Sequence, residues 1–354
     1  MTETQAEIQA ETQLGKAIGQ ALADALAEDD RVVLMGEDIG KLGGVFRVTD
    51  GLQARFGADR VIDSPLAESG IVGTAIGMTY AGMRPVVEIQ FDGFIYPAFD
   101  QIVAQLARLH YRTQGAHRVP ITIRVPYGGH IGSVEHHSES PEAYFAHTPG
   151  LRVVTAATPQ EAYSTLRAAI ASDDPVIFFE PKAKYWSKGE LDRAVTKDLD
   201  TAAVLTEGRD VTLAVYGPTV DLGLDAAFAA AAEGIEIEVI DLRSISPLDV
   251  ETVAASVRKT GRLVVAHESQ AECGIAAELI TSIIERDFES LEAAPERVTG
   301  YDLPYVPAQW EQHFLPNLDR VLDAVDRTLG RRNSRTAEAG GEPTPAPANL
   351  EATR

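Results

Sequence analysis

The chain has a single cysteine, Cys273, among its 354 residues. An internal disulfide and any multi-cysteine zinc site are therefore excluded, and a low cysteine count fits a reducing compartment, with the cytoplasm as the expected location. Long apolar runs are missing too: no window approaches the ~18 consecutive apolar residues of a membrane span. The opening MTETQAEIQAET has no basic or apolar region of the kind a secretory signal needs. Neither a signal peptide nor a membrane span is expected. Basic residues are scarce, with 31 Lys+Arg against 53 Asp+Glu and a formal charge of -22. That charge repels phosphate backbones and anionic headgroups, so nucleic acid and membrane surfaces are not expected partners. It suits a basic protein partner and equally serves solubility, so charge alone names no partner.

What is present is an ordinary globular composition, 45% hydrophobic and 24% charged, in a chain long enough for two domains. Residues 1–12 read as a flexible arm. Leu14, Ile18, Leu22 and Leu26 then recur at helical spacing before the apolar run Val32 to Met35. Pro85 to Phe91 and Val119 to Val125 read as strands, with an amphipathic helix on Phe99, Ile102, Val103 and Leu106 between them and a turn at Pro126 to Gly129. Thr158-Pro-Gln-Glu161 is a capping box opening a helix, followed by the buried strand Val176 to Phe179. Strands alternating with helices predict a mostly parallel, doubly wound sheet.

The pattern lapses between Pro181 and Gly208 and then restarts. Val211 to Val215, Ile235 to Ile240 and Leu263 to Ala266 read as strands, Ser246-Pro-Leu-Asp249 as a capped helix start, and Ile275 to Ile284 as an apolar helix. The expected division is an α/β domain over 13–185, a linker over 186–207, and a smaller α/β domain over 208–330. Residues 331–354, rich in Pro, Ala, Gly and charge, read as a disordered tail.

Three segments could carry chemistry. In Asp63-Ser-Pro-Leu-Ala-Glu-Ser-Gly70, Glu68 stands at a helix start followed by Gly70, Gly73 and Gly77, whose spacing permits close backbone packing, as in a helix pair. Glu68 reads either as a carboxylate favoured by the positive helix end or as a buried, proton-handling group. The polar, glycine-rich stretch from Gly128 to Glu142 carries His130, His136 and His137 where α/β proteins place their sites. Its spacing matches no zinc motif. Aromatics cluster after a strand end in Glu88 to Phe99, as core or as a wall for a planar ring. The stretch from Gly36 to Gly44 lacks both phosphate-loop patterns.

Taken together, GEDIGKLGGVFR, DSPLAESGIVG, EIQFDGFIYPAFDQI, RVPITIRVPYGG and HHSESPEAYFAHTPGLRVV resemble, in order and spacing, the beta subunit of the decarboxylase component of 2-oxo acid dehydrogenases. The resemblance runs from about Leu14 to Leu329 and includes Ile237 to Asp249 and Arg297 to Asp302. It implies a thiamine-diphosphate-binding, pyrimidine-type α/β fold followed by a transketolase C-terminal-like domain, assembled with alpha chains as an alpha2-beta2 heterotetramer.

By the same resemblance Glu68 hydrogen-bonds the cofactor's aminopyrimidine, Phe94 lies against that ring, and Glu37, Leu66 and Gln90 surround it. His137 faces the substrate side and assists reaction with the lipoyl group, with His136 as its alternative. Backbone carbonyls of Val119, Ile121, Thr122, Ala169, Ser172 and Asp174 would hold a structural potassium ion. The chain lacks GDG followed by a downstream Asn pair, so magnesium and the diphosphate are expected on the alpha chain.

The implied reaction is oxidative decarboxylation of a 2-oxo acid, with acyl transfer to lipoyl-lysine on an acyltransferase core. Ser140 to His147, Phe91 and Pro97 to Asp100 look like branched-chain members, which makes branched-chain 2-oxo acids the first expectation. Pyruvate is the second, since PLAESGI and Arg112-Thr-Gln-Gly look like bacterial pyruvate enzymes. Two readings of other kinds stand beside these: an assembly protein that has lost its chemistry, against which Glu68 and His137 both count, and a single-chain thiamine enzyme, against which the length and the missing GDG count.

Overall fold

Val32–Gly36, Thr122–Tyr127 and Val176–Pro181 are buried along their whole length; the first and the opening of the third accordingly read as continuous apolar runs, whereas the second carries Thr122 and Arg124 inward. The structure, a computed structural model, describes residues 10–331. Its strands are β1 (Ala10–Gln13), β2 (Val32–Gly36), β3 (Val61–Asp63), β4 (Arg84–Glu88), β5 (Thr122–Tyr127), β6 (Arg152–Thr155), β7 (Val176–Pro181), β8 (Lys188–Leu191), β9 (Ala203–Thr206), β10 (Val211–Val215), β11 (Ile237–Asp241), β12 (Ser244–Ser246), β13 (Leu263–Gln270) and β14 (Glu296–Gly300).

The first sheet runs β12-β6-β7-β5-β4-β2-β3, parallel except for the edge strand β12. The second runs β14-β13-β10-β11-β9, parallel except for its edge strand β9. Helices flank both sheets, giving the expected α/β architecture. One apolar cluster joins them: Ile123, Val153 and Phe179 of the first sheet share it with Ala214, Ile240 and Val265 of the second. On the far face of the first sheet the helix Leu14–Glu28 buries Ile18, Leu22 and Leu26 against Leu166 and Phe178. Its buried Asp24 is satisfied by Tyr163 Oη at 2.8 Å and Arg193 Nε at 2.9 Å.

Several local expectations need correction. Of the expected arm, residues 1–9 lie outside the described residues, whereas Ala10–Gln13 pair as a strand with Lys188–Leu191 inside the expected linker. Backbone groups of two polar segments satisfy one another there, which composition does not reveal. The expected tail also lies outside the described residues except for Arg331. Asp249, not Ser246, caps the helix Val250–Thr260, accepting from the Thr252 N–H at 3.1 Å; Ser246 belongs to β12. The helix expected on Phe99 to Leu106 is present and runs on to Arg112, but it winds as a π-type segment over Gln101–Leu106 before the α-helical turns of Ala107–Arg112, and a 3₁₀ stretch containing Pro97 precedes it. By contrast, Thr158 caps its helix as expected, with the Glu161 N–H donating to Oγ1 at 3.2 Å.

The two halves also meet through buried polar groups. Glu142, on the short helix Glu142–Ala146, is fully buried; its Oε1 accepts from Tyr216 Oη at 2.6 Å, while its Oε2 has no hydrogen-bond partner. Burial pushes this carboxyl up to about 7, against the opposing effect of the Tyr216 bond. A raised carboxyl stabilises the fold fully below its unfolded value of 4.5, and this contribution is lost as pH rises through about 7. Replacing Glu142 by Gln should therefore flatten the fall in stability between about pH 4.5 and pH 8, a difference on the order of 3 kcal/mol for complete titration. Urea unfolding at the two ends of that range reads it, and identical pH slopes in both proteins would contradict the assignment.

Candidate functional site at the carboxyl rim of the first sheet

Parallel strands deliver their carboxyl ends to one rim, where open α/β sheets bind ligands. Gly36 closes β2 in register with Asp63 of β3 and Glu88 of β4, so the segments that follow all emerge together. Glu37 comes next after β2 and is 8% exposed. After β3, Ser64 to Ala67 lead into the helix Glu68–Tyr80, whose first residue Glu68 is 7% exposed. Asp63 ties these loops, accepting from the Gly40 N–H at 2.6 Å and the Lys41 N–H at 3.2 Å.

Two carboxylates thus lie close enough at a helix N-terminus to interact. Burial raises the Glu37 carboxyl, and the charge of Glu68 raises it further, against a hydrogen bond from the Ala67 N–H. Glu37 Oε1 is buried without a hydrogen-bond partner. An unsatisfied carboxylate oxygen beside a second carboxylate is an acceptor prepared for a polar ligand edge. Of the helix glycines, Gly77 faces open space and Gly73 meets only Gln101, so the expected close helix partner is not supplied by the described residues.

The segment after β4 supplies an aromatic wall. Gln90 Nε2 donates to the Glu37 carbonyl and to Asp38 Oδ2, each at 3.3 Å, which fixes the strand end against the Glu37 loop. Phe91 packs on Phe46 at 5.5 Å, on Phe94 at 5.9 Å and on His137 at 4.1 Å between ring centres. Phe94 stands edge-on to His137 at 5.1 Å. His137 belongs to the short turn Glu135–His137, and its Nδ1 is buried without a hydrogen-bond partner. Burial, followed by the neighbouring His136 and Lys182 charges, holds the imidazole below the usual histidine range. It is therefore mostly neutral at neutral pH and can exchange a proton with a bound group.

Behind this wall, Arg124 on β5 is buried between Glu88 on β4, at 2.6 Å, and Glu180 on β7, at 2.6 and 3.0 Å; Tyr185 Oη also donates to Glu180 at 2.6 Å.

Glu37, Glu68, Gln90, Phe94 and His137 thus gather on one rim. Leu66, in the loop that leads into the same helix, is 81% exposed. His136 neighbours His137 at 4.6 Å. His130 leaves the group: its Nε2 lies 3.3 Å from Glu268 Oε1 and its N–H donates to Glu311 Oε1 at 3.0 Å. No cluster of three His, Cys, Asp or Glu able to hold a metal exists among the described residues.

Val119, Ile121, Thr122, Ala169, Ser172 and Asp174 lie together at the opposite, amino end of the sheet. There the Val119 N–H donates to the Asp173 carbonyl at 3.2 Å, the Val176 N–H to the Ile121 carbonyl at 2.9 Å, and Arg84 Nη1 to the Ser172 carbonyl at 2.9 Å. Sequence reasoning missed Asp92 and Lys182, a fully buried ion pair beneath the rim. Asp92 stands inside the aromatic segment and Lys182 in the irregular stretch after Pro181, and a pairing across 90 residues has no local signature.

Residues 10–187 match the family model described as the transketolase pyrimidine binding domain, and residues 200–321 the model of the transketolase C-terminal domain. The chain is 54% identical over 302 residues to a pyruvate dehydrogenase E1 component subunit beta of Leifsonia xyli subsp. xyli, covering 85% of this chain and 90% of the relative. It is 49% identical to a 3-methyl-2-oxobutanoate dehydrogenase subunit beta of Mycobacterium tuberculosis, covering 86% and 88%. It is 47% identical to a 2-oxoisovalerate dehydrogenase subunit beta of Pseudomonas aeruginosa, covering 85% and 90%. Its fold resembles a solved split-gene transketolase described as an inactive beta4 tetramer, at a TM-score of 0.74 and 23% identity over 90% of this chain and 98% of that one. With both domain models matched along the chain and relatives near half identity over most of their length, this chain belongs to the family of E1-component beta subunits of 2-oxo acid dehydrogenases.

Proposed function

We propose that this chain forms an alpha2-beta2 heterotetramer in the cytoplasm that oxidatively decarboxylates branched-chain 2-oxo acids such as 2-oxoisovalerate and passes the acyl group to lipoyl-lysine of an acyltransferase core. The observation that carries this reading is the carboxylate pair Glu68 and Glu37, one oxygen of which is buried and unpartnered, on the rim where Phe94 packs with Phe91 and His137. Such a pair fits the polar edge of an aminopyrimidine, and the aromatic wall fits its face. Thiamine diphosphate, when bound, supplies the nucleophilic carbon and the electron sink that decarboxylation requires. Glu68 would hold and return a proton at the pyrimidine ring nitrogen, Phe94 would lie against the ring, and Glu37, Leu66 and Gln90 would enclose it. Magnesium and the diphosphate would be held by the alpha chain.

In the transfer step the lipoyl disulfide is the oxidant. One sulfur would receive the acyl group, the sulfur–sulfur bond would break, and the other sulfur would take a proton relayed by His137, whose mostly neutral imidazole would first accept it from the hydroxyl that becomes the acyl carbonyl. A potassium ion at the carbonyls of Val119, Ile121, Thr122, Ala169, Ser172 and Asp174 would share the Ser172 oxygen with Arg84 and the Ile121 oxygen with Val176. Carbonyl oxygens have the second lone pair such sharing needs.

Pyruvate is the second reading, favoured by the 54% identity to a pyruvate-type relative against 49% to a branched-chain one. Decarboxylation of 2-oxoisovalerate and of pyruvate, measured with an artificial electron acceptor for the chain co-expressed with its alpha partner, separates the two. Preference for 2-oxoisovalerate is expected, and preference for pyruvate would replace it. Inactivity toward both, with assembly and cofactor loading verified, would turn the reading to other 2-oxo acids and to an inactive assembly protein.

Replacing Glu68 by Gln removes a proton acceptor and little volume, so decarboxylation should fall at least about 100-fold with assembly retained. Near-normal turnover of the assembled variant would sink this role. His137→Ala should reduce lipoyl acylation about tenfold more than decarboxylation, and equal losses would contradict its assignment.

A further inference from the structure

The loop that carries His137 closes on itself: the Gly128 N–H donates to the Glu139 carbonyl at 2.9 Å. Two carboxylates hold this neck. Glu268 of β13 accepts from the Gly129 N–H at 2.9 Å and lies 3.5 Å from Ser140 Oγ. Asp92 holds the other side, its Oδ2 accepting from the Glu139 N–H at 2.7 Å, two residues beyond His137.

Asp92 is completely buried, and its Oδ1 receives Lys182 Nζ, which is equally buried. Nζ lies 3.5 Å from the Pro126 carbonyl and 5.9 Å from the centre of the Phe91 ring. The cation thus sits at the ends of β5 and β7, directly beneath the aromatic that His137 touches. A lone carboxylate in this place would be strongly disfavoured and would take up a proton, so the acceptor needs its cation. Gly93, the next residue, lets the loop tip descend: a Cβ there would stand 2.4 Å from the His136 carbonyl oxygen. Nothing in the reaction outlined above uses Asp92 or Lys182.

We propose that Asp92, neutralised by Lys182, is a positioning residue whose hydrogen bond to the Glu139 N–H sets His137 against Phe91 and thereby controls acyl transfer to the lipoyl group, not decarboxylation. The inference rests on the transfer role of His137 given above. Lys182 acts through Asp92, keeping the acceptor charged in a dry setting.

The test uses the assembled heterotetramer with a lipoyl domain as acceptor, and measures decarboxylation and reductive acylation separately for Asp92→Ala, Asp92→Asn, His137→Ala and the Asp92→Ala/His137→Ala pair. Asp92→Ala should lower acylation about tenfold more than decarboxylation, whereas Asn, which keeps an oxygen for the Glu139 N–H, should retain acylation to within about threefold. The double variant should lose no more than His137→Ala alone, since both changes remove one function. Equal losses in the two half-reactions for Asp92→Ala, or an Asn variant as impaired as Ala, with His137→Ala still selective, would overturn the positioning role and leave the reading of His137 intact. Equal losses for His137→Ala itself would remove the premise and the proposal with it. If Asp92→Ala does not assemble, Lys182→Met alone should lose acylation selectively and the Asp92→Asn/Lys182→Met pair should recover it; absence of recovery would overturn the proposal.

Discussion

Arg124 places a guanidinium in the middle of the first sheet, where it is only 2% exposed and must be matched by carboxylates from both neighbouring strands. Glu88 and Glu180 supply them, and the arginine stays charged against the burial that disfavours it. Removing one member of such a network strands an uncompensated charge, so the three strands are held to a single register. The segments that build the site follow directly: Gln90 to Phe94 leave β4 just after Glu88, and Lys182 leaves β7 just after Glu180. The buried network therefore determines where the aromatic wall and its supporting lysine stand.

The rim above combines two electrostatic settings within one fold. On one side burial raises the Glu37 carboxyl, and the nearby charge of Glu68 raises it further. On the other side His137 is held below its usual range by burial and by nearby cations. The second sheet contributes without touching this chemistry. Glu268 of its strand β13 and Glu311 of the helix Glu311–Phe314 reach across to the Gly129 and His130 N–H groups, so the histidine loop is fixed by both halves of the chain.

Both membership of the chain in the E1 beta-subunit family and its division between two matched domain models agree with a site left open on one side. The carboxylate pair, the aromatic wall and the glycine-bearing helix Glu68–Tyr80 all lie at or near the surface of this chain, and the exposure of Leu66 beside them marks the open side. A reaction cleft completed by a second subunit is consistent with that arrangement.

Much of this was legible in the residues themselves. Apolar runs of parallel strands, the Thr158 capping box and the apolar stripe of Leu14–Glu28 are local signals, because hydrogen-bonded periodicity and capping depend on neighbours a few residues away. The grouping of Glu68, Gln90, Phe94 and His137 was also accessible, since each lies in a segment that carries the family resemblance. Other features depended on segments far apart in sequence. The pairing of Ala10–Gln13 with Lys188–Leu191, the return of Ser244–Ser246 to the first sheet, and the burial of Asp92 with Lys182 all join residues that composition marks as loop or surface. A backbone hydrogen bond or a buried charge pair is worth making only once packing has excluded water, and that exclusion is a property of the whole fold, not of any window of sequence.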